Sequence, residues 1–310
     1  MKALRYISAL LIACMCLTGC IRENIDDCET PVDLEFQYFG NGIVDIFPDR
    51  IDSVLMYVYE LPSGRLRQTM EISKEELAAR QGADLRLNPG DYRIVCWGNA
   101  GEGSSIDTEG KVITSSEYAG GDVPSGIEEL YFGTVDLNVP QTLRAVKETV
   151  VYEASYIMMK VELLGFAALR SAGAVGSMSA DENGAADATV SLTHGNHSAL
   201  IDFTNTPSDE VTDYVPVLAD HPDEDDSYVA DYLVPRFDND TEARLRIVRN
   251  DSGETLYDRP LSGIMDDLGI TVDERNEQMV NIRFRLTQSE GGQLTIDVVG
   301  WNTEIVFPEL

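Results

Sequence analysis

The sequence of 310 residues predicts an all-β protein made of two β-sandwiches in series. Short runs of alternating apolar and polar residues recur along the chain, and clusters of Gly, Pro, Asn and Asp separate them, as is typical of antiparallel strands joined by turns. Only two short segments have a helical pattern. The chain is also long enough for two ordinary domains once the first 19 residues are set aside.

The chain begins with the pattern of a secretory signal peptide. A basic segment precedes the apolar run 7–17, which is too short to cross a bilayer as a stable helix. Thr18 and Gly19 stand directly before Cys20, an arrangement that resembles the lipobox of bacterial lipoproteins. We therefore expect cleavage between Gly19 and Cys20, with acyl chains attached at Cys20 to hold the protein on a membrane. The alternative is an ordinary signal peptide that happens to contain a cysteine.

Residues 20–30 form a polar tether, and residues 31–143 form the predicted first domain. Its helix is predicted at 73–80, where Ser73 and Glu76 have the spacing of a capping box. Residues 101–121 are rich in Gly, Ser and acidic residues and are interpreted as a long surface loop. The predicted strands lie at 32–38, 52–59, 92–97, 130–133 and 135–139.

Residues 144–310 form the predicted second domain. The run 148–164 alternates and predicts one long strand with a bend, with Val151 and Ile157 on the same face. Residues 172–186 are interpreted as a loop, and residues 260–268 as a short helix. Further strands are predicted at 188–192, 199–203, 228–234, 243–248, 255–257, 278–286 and 294–298.

The charge is strongly negative, at −31, from 54 acidic and 23 basic residues. A field of this sign repels phosphate backbones, so nucleic acid is excluded as a partner. The acidic run Asp220–Asp226 could hold Ca²⁺ through carboxylate oxygens. It lacks the spacing and the glycine of an EF-hand, so a solvated acidic loop is the favoured interpretation.

No catalytic, cofactor or metal site is predicted. The sequence has no Gly-x-Ser-x-Gly elbow, P-loop or Gly-x-Gly-x-x-Gly motif. His194 and His197 have the spacing of a metal pair, but Gly195 and Asn196 between them favour a solvated hairpin turn. Carboxylate pairs for glycoside hydrolysis are numerous in so acidic a chain, and nothing in the sequence selects one pair.

Two of the five cysteines, Cys28 and Cys96, remain after signal removal and lipidation. They could form one disulfide in an oxidising compartment. The alternative is two separate thiols, with Cys96 buried beside Trp97.

Three features together resemble the FimB-type minor fimbrial subunits, lipoproteins of the fimbrillin superfamily that anchor fimbriae of anaerobic gut and oral bacteria to the outer membrane. The first is Cys20 followed eight residues later by Cys28 in Asp-Asp-Cys. The second is the motif Leu-x-Pro-Gly-x-Tyr-x-Ile-Val-x-Trp-Gly-Asn at 87–99, and the third is a C-terminal strand that ends in Gly-Trp at 300–301.

The resemblance implies two transthyretin-like β-sandwiches and a structural, non-enzymatic role at the base of a fimbrium. The implied partners are the outer membrane, through acyl chains on Cys20, and the fimbrial shaft subunit, through strand addition at an open sheet edge. The run 303–307 could donate such a strand or complete its own sheet.

Two other functions remain open at this point. One is a surface adhesin or glycan-binding lipoprotein, with an exposed aromatic platform that could use Tyr118, Tyr131 or Trp301. The other is a polymerising shaft subunit, which the resemblance implies would be released by cleavage after a basic residue, for which Arg50, Arg65 and Arg67 are available.

Overall fold

The computed structural model describes residues 29–100, 104–109, 111–114, 123–142, 144–169, 188–272, 277–289 and 293–299. Cys20, Cys28, the loop predicted at 172–186 and the run 303–307 lie outside these ranges. The described residues are mostly β-strands with few helices, so the all-β prediction is confirmed. Among them, no helix has the length and apolar character needed to cross a membrane.

The first half of the chain builds a seven-stranded sheet with the strand order β3-β2-β5-β8-β9-β1-β4. Strand β9 pairs with β1 through residues 146–151 and with β8 through residues 152–154, so it joins two layers of one sandwich. The elements in this half of the chain are β1 (Thr30–Gln37), α1 (Phe47–Arg50), β2 (Val54–Leu61), β3 (Arg65–Ile72), α2 (Lys74–Ala79), β4 (Gly82–Leu87), β5 (Gly90–Gly98), β6 (Ser105–Asp107), β7 (Val112–Thr114), β8 (Tyr131–Val139) and β9 (Val146–Ala154). Strands β6 and β7 belong to a separate sheet that is described below. We call the seven-stranded unit the first sandwich.

The second half builds a five-stranded sheet, with the order β14-β15-β10-β18-β19, and a four-stranded sheet, with the order β13-β11-β16-β17. Apolar side chains from both sheets belong to one buried cluster, the main core, which also contains buried side chains of the first sandwich. The elements are β10 (Tyr156–Leu164), a 3-10 helix (Phe166–Leu169), β11 (Val190–His197), β12 (Leu200–Asp202), β13 (Val211–Tyr214), β14 (Ala219–Asp220), β15 (Tyr228–Pro235), β16 (Arg244–Arg249), β17 (Thr255–Pro260), α3 (Leu261–Leu268), β18 (Met279–Gln288) and β19 (Leu294–Val299). We call this pair of sheets the second sandwich.

Both predicted helices are present. The α2 helix has the predicted capping box, in which the Glu76 amide donates to the Ser73 hydroxyl and the Ser73 amide donates to the Glu76 carboxylate. The α3 helix ends at Gly269, whose φ of +65° is the left-handed conformation that glycine adopts at helix C-termini.

The predicted long strand at 148–164 is instead two strands that belong to different sandwiches. Val150, Tyr152 and Ala154 are buried in the first sandwich, and after Ser155 the inward positions change from even to odd residue numbers. Val151 is therefore half-exposed, so its predicted place beside Ile157 is wrong. The change of sheet falls at Ser155, whereas the predicted domain division at 143/144 remains a prediction.

A third, three-stranded sheet joins the two halves, with the order β12-β7-β6. The surface-loop interpretation of 101–121 is wrong for this part, because β6 and β7 lie within it and Ile113 is fully buried. The sheet covers the outer face of β2, β5 and β8, where a second apolar cluster lies, separate from the main core. Its buried members are Tyr57, Tyr59, Val95, Trp97, Ile113, Leu130, Phe132, Ile201 and Phe203.

Candidate functional site

The predicted tether is followed by β1, a strand of the first sandwich that is paired on both sides. Within the described ranges only Glu29 precedes β1, which lies between β4, its antiparallel partner, and β9, its parallel partner. The Thr30 hydroxyl lies 2.8 Å from the carbonyl oxygen of Pro140 and 2.9 Å from that of Thr142. The first residue of the strand is thus fixed to the end of β8 and the segment that follows it.

Strand β1 is part of the core over its whole length. Val32, Leu34, Phe36 and Tyr38 recur at every second position and are almost completely buried. Burial of side chains of this kind stabilises a fold by about 1.5 to 3 kcal/mol each. The edge of Phe36 packs against the ring of Tyr152, which belongs to β9. The segment nearest the tether is therefore among the most firmly packed parts of the molecule.

The segment that follows β1 contacts the second sandwich through Glu277, just before β18. The Glu277 backbone amide donates to the Asn41 side-chain oxygen at 3.1 Å, and the Asn41 amide group donates to the Glu277 carbonyl at 2.5 Å. The Glu277 carboxylate accepts a hydrogen bond from the Tyr38 hydroxyl at 3.3 Å and pairs with Arg50. Burial, and then Glu277, raise the pKa of Tyr38, so this phenol stays a donor.

A pair of tyrosines continues this polar junction. The hydroxyls of Tyr131 and Tyr156 lie 2.9 Å apart, one on each side of the point where the chain passes from the first sandwich to the second. Burial raises the pKa of Tyr156 to about 12. Tyr131 is fully buried, so its predicted use in an exposed aromatic platform is wrong. Tyr118 and Trp301 lie outside the described residues.

The motif at 87–99 positions this junction. The Tyr92 hydroxyl donates to the Asn88 carbonyl at 2.9 Å and fixes the turn before β5. Asn99, at φ +57°, accepts from the Asp52 amide at 2.8 Å and donates to the Arg50 carbonyl at 2.7 Å. A Cβ at Gly98 would lie only 3.0 Å from Ile51 and 3.1 Å from Tyr131. These residue types are therefore explained by packing around Arg50.

The interpretation of 193–197 as a solvated hairpin is wrong, because these residues lie inside β11. Strand β11 pairs with β13 and β16, and His194 is fully buried. The two histidines point to opposite faces of the strand, as residues three apart must. His194 Nδ1 lies 3.1 Å from the Tyr232 hydroxyl, and His197 Nδ1 lies 2.8 Å from the Ser208 carbonyl. They do not form a metal pair.

The acidic run Asp220–Asp226 sends one side chain into the protein. His221 Nε2 lies 3.2 Å from a carboxylate oxygen of Glu162, which is only 2% exposed, and Arg283 Nε lies 2.6 Å from the other. This group could not be predicted from the sequence, because the alternation of residues in β10 places Glu162 on the side expected to face solvent. Across the described ranges, no three His, Cys, Asp or Glu side chains are grouped so that they could hold a metal ion.

Cys96 is a buried, free thiol on β5. Burial raises its pKa to about 12, which makes the thiol unreactive at neutral pH. Its predicted disulfide partner, Cys28, lies outside the described residues, as do the predicted cleavage and lipidation positions Gly19 and Cys20.

Open edges are the remaining places where a partner could bind. In the described part of the chain, the outermost strands are β3 and β4 in the first sandwich. In the second sandwich they are β14 and β19 in one sheet and β13 and β17 in the other. Among the described residues, each of these strands has a paired strand on one side only, and an edge of this kind can add a further strand.

Comparisons with known proteins agree with this architecture. The family described as fimbrillin-A associated anchor proteins Mfa1 and Mfa2 matches residues 25–307. The fimbrial anchor protein Mfa2 from Porphyromonas gingivalis has a similar structure, with a TM-score of 0.63 and 15% identity over 88% of this chain and 98% of that chain. None of the curated protein sequences matches this chain.

Two further solved structures have the same fold. A proposed adhesin from Bacteroides ovatus has a TM-score of 0.63 and 18% identity over 91% of this chain and 96% of that chain. A proposed polysaccharide-binding protein from Bacteroides thetaiotaomicron has a TM-score of 0.62 and 16% identity over 90% of this chain and 99% of that chain. The predicted resemblance to fimbrial anchor subunits is confirmed: this chain belongs to the family of fimbrillin-A associated anchor proteins.

Proposed function

We propose that this chain is the lipid-anchored base of a fimbrium, a structural and non-enzymatic subunit. Acyl chains on Cys20 hold it in the outer membrane, at the cell surface, and the fimbrial shaft binds at an open sheet edge. Family membership supports the fimbrial role. The observation that carries the anchoring role is the place of β1, which follows the predicted tether and is paired on both sides within the first sandwich.

This placement suits a strand that has to resist a pulling force on the fimbrium. A pull on Cys20 acts along β1, where six residue pairs connect it to β4 and six connect it to β9. Hydrogen bonds that lie across the direction of pull have to break together, because the strand slides as a unit. Buried side chains such as Leu34 and Phe36 resist the same movement.

The position of β1 also argues against a polymerising shaft subunit. Cleavage after Arg50 would remove β1 and α1 and leave β4 and β9 without the partner between them. It would also remove the Tyr38 and Asn41 contacts to Glu277. The place of β1 in the sheet thus supports a chain that is not cleaved after Arg50.

The first test is the intact mass of the protein from native outer membranes, with identification of what co-purifies in mild detergent. We expect a lipidated chain that begins at Cys20, together with a shaft subunit. A lipid-free chain that begins at Ile51 would overturn the proposal. The same lipidated mass without a shaft subunit would favour the adhesin.

The second test is the Cys20→Ala variant in cells, with Cys28→Ala as the matched control, since it removes a thiol eight residues later and leaves the lipobox intact. We expect Cys20→Ala to release the protein and its fimbria into the medium. Cys28→Ala should leave both on the cell. Fimbriae that stay attached in the Cys20→Ala strain would contradict anchoring through the lipid.

Strand addition is tested with proline substitutions on the open edges, one at a time, at Thr69 in β3, Thr212 in β13, Tyr257 in β17 and Thr295 in β19. Proline removes a backbone donor, so the variant on the binding edge should no longer capture the shaft subunit. The other variants serve as controls. Equal capture by all four would contradict strand addition at these edges.

A further inference from the structure

The segment 198–208 reaches from the second sandwich across to the first. It leaves β11, forms β12 and returns to β13, and we call it the arm. Leu200, Ile201 and Asp202 pair with residues 114, 113 and 112 of β7, and the Phe203 amide donates to the Lys111 carbonyl at 3.0 Å. The arm is therefore bound to the first sandwich through backbone hydrogen bonds.

The base of the arm is fixed in the second sandwich. The Ser198 amide donates to the Glu210 carbonyl at 2.6 Å, and His197 Nδ1 lies 2.8 Å from the Ser208 carbonyl. The hydroxyl of Tyr214, a fully buried residue, donates to the His197 carbonyl at 2.8 Å. These bonds hold both ends of the arm to β11 and β13, so the arm moves with the second sandwich.

The tip of the arm has its own internal structure. One carboxylate oxygen of Asp202 accepts hydrogen bonds from the Thr204 amide at 2.8 Å and from the Thr206 amide at 2.9 Å. Asn205 adopts a φ of +61° between them. A turn that is closed by its own side chain keeps its shape without help from the surface on which it lies.

The apolar contact of the arm is separate from the main core. Ile201 and Phe203 pack on Tyr57, Tyr59 and Trp97, and all five belong to the second apolar cluster. The Phe203 ring centroid lies 5.7 Å from that of Tyr57 and 6.2 Å from that of Trp97. The main core runs through both sandwiches as one cluster and contains none of these buried residues, so the arm can leave the first sandwich while that core stays packed.

We propose that the arm is a latch: it adds an attachment between the two sandwiches that is separate from the main core, and it undocks as a unit at lower cost than opening of that core. Because its base is fixed, the arm moves with the second sandwich. Because its tip keeps its shape when released, the arm is either docked or undocked, without intermediate states. The latch is a property of the folded chain, and it does not depend on the fimbrial role proposed above.

The test is hydrogen–deuterium exchange of the lipid-free protein, read by peptide, with small-angle scattering on the same samples. In the wild type, amides at 200–203 and 112–114 should exchange at least ten times faster than those of β5 and β10. Phe203→Ala should speed up exchange in these two segments by a further tenfold or more and leave β5 and β10 unchanged. The radius of gyration should stay the same, because the main core still joins the two sandwiches.

Phe284→Ala is the matched control, because it removes the same ring from the main core of the second sandwich. It should speed up exchange throughout that sandwich. If Phe203→Ala instead speeds up exchange uniformly, fails to fold, leaves exchange in the two segments unchanged or enlarges the radius of gyration, the arm is an ordinary part of one cooperative core and the proposal is wrong.

Discussion

The Glu277 carboxylate lies 3.3 Å from the guanidinium Nε of Arg50, so a charge pair joins the second sandwich to the first. The same carboxylate oxygen accepts a hydrogen bond from Tyr38. Glu277 is largely buried, whereas about a third of the Arg50 side chain is exposed. Water therefore screens the attraction between these two charges less than it screens a surface ion pair.

Glu277→Gln should lower the free energy of unfolding by about 1 to 2 kcal/mol, because a neutral amide replaces a charged acceptor for two donors. Urea denaturation measures the change. Glu75→Gln, on the exposed face of α2, is the control and should change stability by less than about 0.5 kcal/mol. Equal effects of the two variants would contradict a specific role for Glu277.

The buried His194 should make the protein less stable as the pH falls. Burial lowers the pKa of His194 from 6.5 to about 3, so the fold holds the neutral form while the unfolded chain takes up a proton below pH 6.5. The contribution is fully present above pH 6.5. It is lost as the pH falls toward 3, at about 1.4 kcal/mol per pH unit.

The measurement is the free energy of unfolding in urea at several pH values between 6.5 and 4, in the wild type and in His194→Gln. The carboxylates titrate in both proteins, so their contribution to the pH dependence of the unfolding free energy cancels in the comparison. The slope against pH should be shallower in the variant. Parallel slopes would show that His194 does not supply the difference.

Gly82→Ala should destabilise the first sandwich, since a Cβ at this position would overlap the carbonyl oxygen of Leu34 in β1. We expect a loss on the order of 2 kcal/mol or more. Gly42→Ala is the matched control, because its Cβ would make an ordinary contact of 3.5 Å with the Phe39 carbonyl. Thermal unfolding of both variants gives the comparison. If Gly82→Ala is as stable as the wild type, the close approach of β4 to β1 is refuted.

The ion pair between Glu162 and Arg283 should stabilise the second sandwich only while both partners are present. Arg283→Met leaves the buried Glu162 carboxylate without its 2.6 Å partner and should cost about 3 kcal/mol. The double variant with Glu162→Leu removes both charges and should recover most of that loss. A double-mutant cycle in urea measures the coupling, and additive losses would contradict it.

Much of the fold could be predicted because the local signals were strong. The capping box at Ser73 and Glu76 identified the start of α2, and the alternation of Val280, Ile282 and Phe284 identified β18 with its buried face. These signals depend only on residues near in sequence.

The arm and its partners could not be predicted in this way. Strands β6 and β7 have three residues each, too few for a period to be visible, and they lie in a segment rich in Gly and acid. The useful signal was in β5, where Val95 and Trp97 are apolar on the face opposite Ile94 and Cys96. A strand that is apolar on both faces must be covered on both.

The buried polar groups were missed for a related reason. His194 lies next to Gly195 and Asn196, which favour turns locally, but pairing with β13 and β16 overrides that preference. Glu162 was hidden because its partners, His221 and Arg283, are distant in sequence. Contacts of this kind come from tertiary structure alone.

The position of β1 has a consequence for the order of biogenesis. Its two neighbours are β4 and β9, and the latter ends at Ala154, about halfway along the chain. A chain that leaves the cell N-terminus first cannot close the first sandwich until that residue has emerged. The β9 side of β1, the strand nearest the predicted lipidation site at Cys20, therefore stays open until about half of the chain has emerged.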